Sequence, residues 1–252
     1  DYPDLWPETV RGLFVSSARW TSQMKDHLPA SPTKGSYTPL FQRYGYGVPD
    51  LNRARRSASN ALTLIVEDTI TPYKLSNKSD PLHNEMNALR ALNEAQVTLR
   101  ITLSTFISPN PSEPARGSKF RYASHNLRFK LNRSDENVAQ FTSRISEAAQ
   151  KPEGPESETE DGWEFGSNRR DVGSLHIDQL TCRASDLARR NLIAVHPVTG
   201  WWKSKSVLKD GLPQARFSLI IEIDAEHLTT DLYTEVQTAV QAMVTAQTVV
   251  EV

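Results

Sequence analysis

The chain of 252 residues carries a formal net charge of −1, with 38% hydrophobic and 23% charged residues. That length suffices for one large or two ordinary domains with real cores. The near-neutral balance gives no general pull toward nucleic acid or an anionic membrane, and no apolar run approaches the roughly 18–20 residues that a bilayer span needs.

The one cysteine, Cys182, cannot form an intrachain disulfide. This fits a reducing compartment, so a cytoplasmic location is expected. Without a Cys-His pattern around it, Cys182 reads as a small buried apolar residue rather than a nucleophile. The first residues, Asp1-Tyr2-Pro3-Asp4-Leu5, lack an initiator Met and read as the middle of a longer product.

Taken in chain order, Asp4 to Arg11 is a helix entry. Pro7 suits the first turn and Glu8 complements the positive end of the helix dipole. Val10, Leu13 and Phe14 follow at helical spacing and predict one apolar face. Ser22 to Gln42, with three prolines and little periodicity, reads as a long loop. Tyr44-Gly45-Tyr46-Gly47 predicts a tight turn in which both glycines take positive φ, and Asp50 should cap a helix over Leu51 to Ser57. The apolar faces of these two helices need a sheet, which is expected upstream.

Beyond the turn the pattern changes. Ala61–Asp68 reads as a strand, and Val97, Leu99, Ile101 and Leu103 alternate with polar residues. Leu127–Leu131 and Phe217–Ile223 repeat that alternation, and Leu192–Val195 is a shorter candidate. Strict alternation predicts antiparallel strands with one wet face. Pro72–Pro81 reads as a polar loop and Glu85–Glu94 as a short helix. A helix over Ser134–Gln150, capped by Ser134 or Asp135, is expected to bury Val138, Phe141 and Ile145. Lys151–Asp161 is acidic with no apolar residue and reads as a flexible loop. Leu232–Val249 is amphipathic, with its β-branched content leaving helix or strand open.

Two blocks near the start resemble the end of the catalytic domain of subtilisin-like serine proteases. The first is Tyr2-Pro3-Asp4-Leu5-Trp6-Pro7-Glu8-Thr9-Val10-Arg11-Gly12-Leu13, followed by Ser16-Ser17-Ala18. The second is Tyr44-Gly45-Tyr46-Gly47-Val48-Pro49-Asp50-Leu51-Asn52-Arg53-Ala54. Both match in order, with a longer loop between them than in minimal members. The resemblance covers about residues 1–59, and within the family the likeness is to large bacterial subtilases with a β-rich C-terminal extension. That likeness also rests on Arg100–Pro111, Phe120–His125 and Gly200–Lys203.

The resemblance implies a division into residues 1–59, completing an upstream α/β subtilisin-like domain, and residues 60–252, a mainly antiparallel β-sandwich or jelly-roll-like accessory domain with an inserted helix. It implies peptide-bond hydrolysis through an Asp-His-Ser triad upstream of Asp1, a protein or peptide substrate, and, in some members, an AAA-type ATPase partner or a link to phage defence. The Gly-Thr-Ser block that carries the family's nucleophile is absent here. No catalytic residue is therefore assigned to this chain, and no cofactor or metal is expected.

The residues offer few rivals. His27, His83, His125, His176, His196 and His227 are scattered singly and read as structural or surface histidines. There is no His-Glu-x-x-His motif, no Walker-type loop, and no calcium loop around Asp224 and Asp231. Gly200-Trp201-Trp202-Lys203 is the most unusual feature: on a strand, adjacent tryptophans would face opposite sides, one core and one exposed. Arg53-Arg55-Arg56, Arg169-Arg170 and Arg189-Arg190 read as solvated faces, with an acidic partner as the alternative. A non-enzymatic module binding protein or carbohydrate, and a subtilase scaffold that has lost catalysis, remain as rival functions.

Overall fold

The computed structural model describes residues 4–55, 61–72, 82–83, 96–110, 122–150, 162–203 and 213–224. Four short helices come first: α1 (Pro7–Ser16), α2 (Ser22–Lys25), α3 (Thr38–Tyr44) and α4 (Leu51–Arg55). The strands follow as β1 (Ala61–Ile70), β2 (Leu82–His83), β3 (Gln96–Thr105), β4 (Asn126–Leu131), β5 (Leu175–Arg183), β6 (Leu192–Val198) and β7 (Ala215–Asp224). Helix α5 (Val138–Gln150) lies between β4 and β5, with the short α6 (Ser167–Arg170) and α7 (Ala184–Leu187) flanking β5.

Among the described residues two open antiparallel sheets result, one in the order β1-β7-β3-β5 and the other β2-β6-β4. The chain is therefore mixed α and β, with its sheets antiparallel as the alternation predicts. Val97, Leu99, Ile101 and Leu103 of β3 and Leu219, Ile221 and Ile223 of β7 share one core with Leu127, Phe129 and Leu131 of β4 and Ile193 and Val195 of β6. The period-two pattern put these residues on one face because successive side chains on a strand point to opposite sides.

The other face of β3 is not wet. Thr102, Ser104 and Arg100 are buried beneath α1 and the residues after it. The sheet that the first helix needs is thus in this chain: α1 lies across β3 and β7. Its orientation also reverses the predicted one. Glu8, Thr9, Gly12 and Ser16 are buried, whereas Val10 is 56% and Phe14 61% exposed. The sheet's outer face is polar, so the small, polar side of α1 is its complement. The expected boundary at 59/60 falls within 56–60, outside the described residues.

The expected loop over Ser22–Gln42 is largely ordered. It holds α2, a 3-10 turn at Lys34–Tyr37 and the start of α3. Pro39 sits in the first turn of α3, where its missing N–H costs nothing. Aromatic packing, which has no periodicity to read, holds this segment. Trp20 stacks on Tyr37 at 5.7 Å, and Phe41 meets Phe165 edge-to-face at 5.0 Å.

Strand β5 carried no readable signal. Its core-facing positions include His176 and Asp178, which break the apolar alternation. Helix α5 starts later than the sequence suggests: Asn137 caps it, accepting from the Gln140 N–H at 3.0 Å, while the Gln140 side chain accepts from the Asn137 N–H. Phe141 and Ile145 are buried against Leu192 and Ala194, but Val138 is exposed. The expected loop at 73–81, helix at 85–94, acidic loop at 151–161 and amphipathic segment at 232–249 lie outside the described residues. No described helix is long and apolar enough to cross a membrane.

Candidate functional site

The two sequence blocks at residues 2–18 and 44–54 are joined in space. The Gly47 turn returns to the end of α1, where Arg19 and Val48 exchange backbone hydrogen bonds at 3.0 and 2.9 Å. Gly45 and Gly47 both have positive φ, 55° and 96°. At Gly47 a Cβ would also collide with the Arg19 carbonyl, so only glycine fits. Asp50 caps α4 by accepting from the Arg53 N–H at 2.7 Å, and its own N–H donates to Ser17 Oγ at 3.1 Å. Arg53 closes the contact by donating to the Ser17 carbonyl at 2.8 Å.

The buried side of α1 is fixed to the sheet by directional bonds. Arg11 donates to Ser104 Oγ at 3.1 Å and to the carbonyls of Thr105 and Ser174 at 2.6 and 2.8 Å. Its guanidinium also lies 4.2 Å from the centre of the exposed Phe106 ring. Ser16 Oγ accepts from Thr102 at 3.0 Å, and Thr9 donates to Glu67, which also accepts from the Trp6 N–H. Glu8 pairs with Arg216 at 3.2 Å. Deeper, Arg100 donates to Gln179 Oε1 at 2.7 Å, while its Nε lacks a hydrogen-bond partner. Burial, with the charge of Arg19 adding to it, lowers this guanidinium to about 9.

A second polar cluster joins residues singled out in the sequence. Ser124 and His125 are adjacent and hydrogen bonded, with Ser124 Oγ 3.0 Å from Nδ1 of the imidazole. Thr105 Oγ1 donates to the Arg216 carbonyl at 2.7 Å, so it accepts from Nε2–H of His125 at 3.1 Å. Nδ1 is then the acceptor, and Ser124 donates to it. Trp202 stacks on the ring at 4.9 Å, and both Ser124 and His125 are buried. The position that a catalytic carboxylate would occupy holds a threonine hydroxyl, and substrate cannot reach the serine. Burial lowers His125 to about 4, which keeps it neutral and structural at pH 7.

Trp201 and Trp202 do not lie on a strand. They form a 3-10 turn with Lys203, meet edge-to-face at 6.3 Å and are both partly buried. Trp201 Nε1 donates to the Ser108 carbonyl at 3.1 Å. The pair closes the end of the fold rather than presenting one ring on each face.

Of the other residues noted in the sequence, His27 is exposed and His176 and His196 are buried. His83 is in β2, and His227 lies outside the described residues. Arg170 does not sit on a solvated face. It is 1% exposed, 3.6 Å from Asp178 and stacked on Phe129 at 5.0 Å. Arg169 donates to Thr38. Cys182 is half-buried against the core, and burial pushes its thiol up. Among the described residues no group of three or more His, Cys, Asp or Glu is placed to hold a metal ion. Neither protein-family models nor curated proteins provide a match to this chain.

Proposed function

We propose that this chain is the C-terminal part of a subtilisin-like serine endopeptidase, with its catalytic triad on residues upstream of Asp1 and with residues 60–252 forming a sandwich-like accessory domain. The observation that supports this reading is the contact between the two resembling blocks. Ser17 of one accepts from Asp50 of the other, 33 positions away in sequence, and Arg19 pairs with Val48. The outward side of α1 supports it as well. A helix that buries its polar side and exposes Val10 and Phe14 is suited to lie between two protein layers.

On this reading α1 is a shared wall. Its polar side is fixed to the accessory sheet through Arg11, and its apolar side packs into the catalytic domain. The chain by itself is inactive, because the only buried serine–imidazole pair described, Ser124–His125, is closed to substrate.

Fluorophosphonate labelling of this chain and of the product of its full reading frame tests the proposal. Labelling of the longer product only, lost when its upstream serine is replaced, is the expected result. Labelling of this chain alone overturns the reading by revealing a nucleophile within it, and labelling of neither product overturns it in favour of a binding module or a subtilase without catalysis.

A further inference from the structure

A chain of buried ion pairs connects the two sheets at β4, an edge strand among the described residues. Asp178 of β5 lies 3.6 Å from Arg170 Nη1, Arg170 Nε donates to Asp171 at 2.9 Å, and Asp171 lies 3.5 Å from Arg128 Nε on β4. Arg170 also lies against the rings of Phe129 and Trp163, so its position depends on β4 remaining docked. Two histidines border this chain. His176 of β5 donates through Nδ1 to the Arg170 carbonyl at 2.6 Å, and its Nε2 has no hydrogen-bond partner. His196 of β6 is directly opposite Arg128 in the β4–β6 register, 0% exposed, and neither of its ring nitrogens has a partner.

Among the described residues the charges acting on these imidazoles are Arg128 and Lys130 from β4 and Arg170 and Asp171 from α6 and its C-terminal cap, with Asp178 of β5 behind Arg170. On α5, which packs on the far part of β6, Arg144 pairs with Glu136 at 2.7 Å and points to the Leu131 carbonyl. A proton on either ring adds charge at a buried site that already holds Arg128, Lys130 and Arg170.

We infer that this cluster is an acid-sensitive latch: with both histidines neutral it holds β4 against β5 and α6, and proton uptake by His176 and His196 lets β4 peel away from the fold. Burial lowers both imidazoles, His196 to about 3, with Lys130 and Arg128 adding to the effect there. In the peeled state His196 is solvated and takes its proton near the ordinary value. Its contribution to the opening equilibrium then rises roughly 25-fold between pH 7 and pH 5. Asp178 acts in the opposite sense, because burial raises it to about 6, and offsets roughly ten-fold of the total over that interval.

Hydrogen exchange of the β4 and β3 amides, corrected for intrinsic rates and followed from pH 7 to pH 5, tests the latch in this chain and in His196→Gln and His176→Gln. The expected result is opening of β4 that grows with acid ahead of β3, with the pH dependence reduced roughly 25-fold by His196→Gln and reduced also by His176→Gln. Equal pH dependence in wild type and both variants, or β3 opening in step with β4 at every pH, overturns it. If His196→Gln does not fold, the wild-type comparison of β4 with β3 and the His176→Gln profile still decide.

Discussion

Gly12 of α1 faces Ile220 of β7 so closely that a Cβ on the glycine would come within 2.6 Å of Ile220 Cδ1 and 3.4 Å of Ser104 Cβ. This contact sets how deeply the helix seats on the sheet. A methyl group displaces only the tip of a flexible side chain, and alanine also favours the helix by about 1 kcal/mol over glycine. Gly12→Ala is therefore expected to be nearly neutral. Gly12→Leu must lift the helix and is expected to cost about 2–3 kcal/mol. Urea unfolding of both variants checks the contrast.

Arg11 secures the same interface by a different means. Its fork reaches two carbonyls and a serine hydroxyl at once. Lysine keeps the charge but cannot reproduce the planar fork. Arg11→Lys is expected to destabilise the fold by about 1–3 kcal/mol and to speed hydrogen exchange in α1 before that in β3. Unchanged α1 protection would show that the helix does not depend on this residue.

The outward side of α1 should behave in the opposite way. Val10→Ser with Phe14→Ser removes apolar area that already meets water, so the stability of this chain should shift by no more than about 0.5 kcal/mol. Phe141→Ala, in the fully buried cluster beneath α5, is expected to cost about 3–5 kcal/mol. On the proposed function, the same two serines in the full-length product should loosen α1 from the catalytic domain. Protease sensitivity near residues 4–20 reads that change.

The turn at Gly47 gives a sharp backbone test. Gly47→Ala must place an L-residue at φ 96° and its Cβ on the Arg19 carbonyl. The expected loss is about 2 kcal/mol or more, because neither element is the end of a flexible side chain. Gly173 also has positive φ, 84°, but no atom lies within 4 Å of its would-be Cβ. Gly173→Ala should cost only the conformational part, about 1 kcal/mol. Thermal melts of the two variants separate collision from backbone strain.

Acid should weaken the whole fold through His125 as well. Its folded value is about 4, below the ordinary 6.5 of the unfolded chain, so the unfolded state binds more protons between those limits. The stabilisation is complete above pH 6.5 and is lost as pH falls toward 4, by about 2 kcal/mol at pH 5. His125→Gln, which cannot titrate, should flatten this part of the stability–pH curve. An unchanged slope would mean that His125 already carries its proton in the fold.

The sequence alone determined which residues of β3, β4 and β7 enter the shared core, because alternation on these strands is a local consequence of strand geometry. It also determined the Gly45–Gly47 turn and the Asp50 cap, which rest on φ preference and on one side-chain oxygen reaching a nearby N–H. Only the tertiary structure decided what covers the second face of the sheet. Nothing local to Thr102 and Ser104 states that a helix will bring Thr9, Gly12 and Ser16 to them, and the Val10–Phe14 stripe suggested the reverse orientation. Strand β5 was hidden for a related reason: His176 and Asp178 face inward only because Arg170 arrives from another element to compensate them. Charge pairing across elements leaves no periodic trace, so the buried cluster at β4 becomes visible only once the two sheets are packed together.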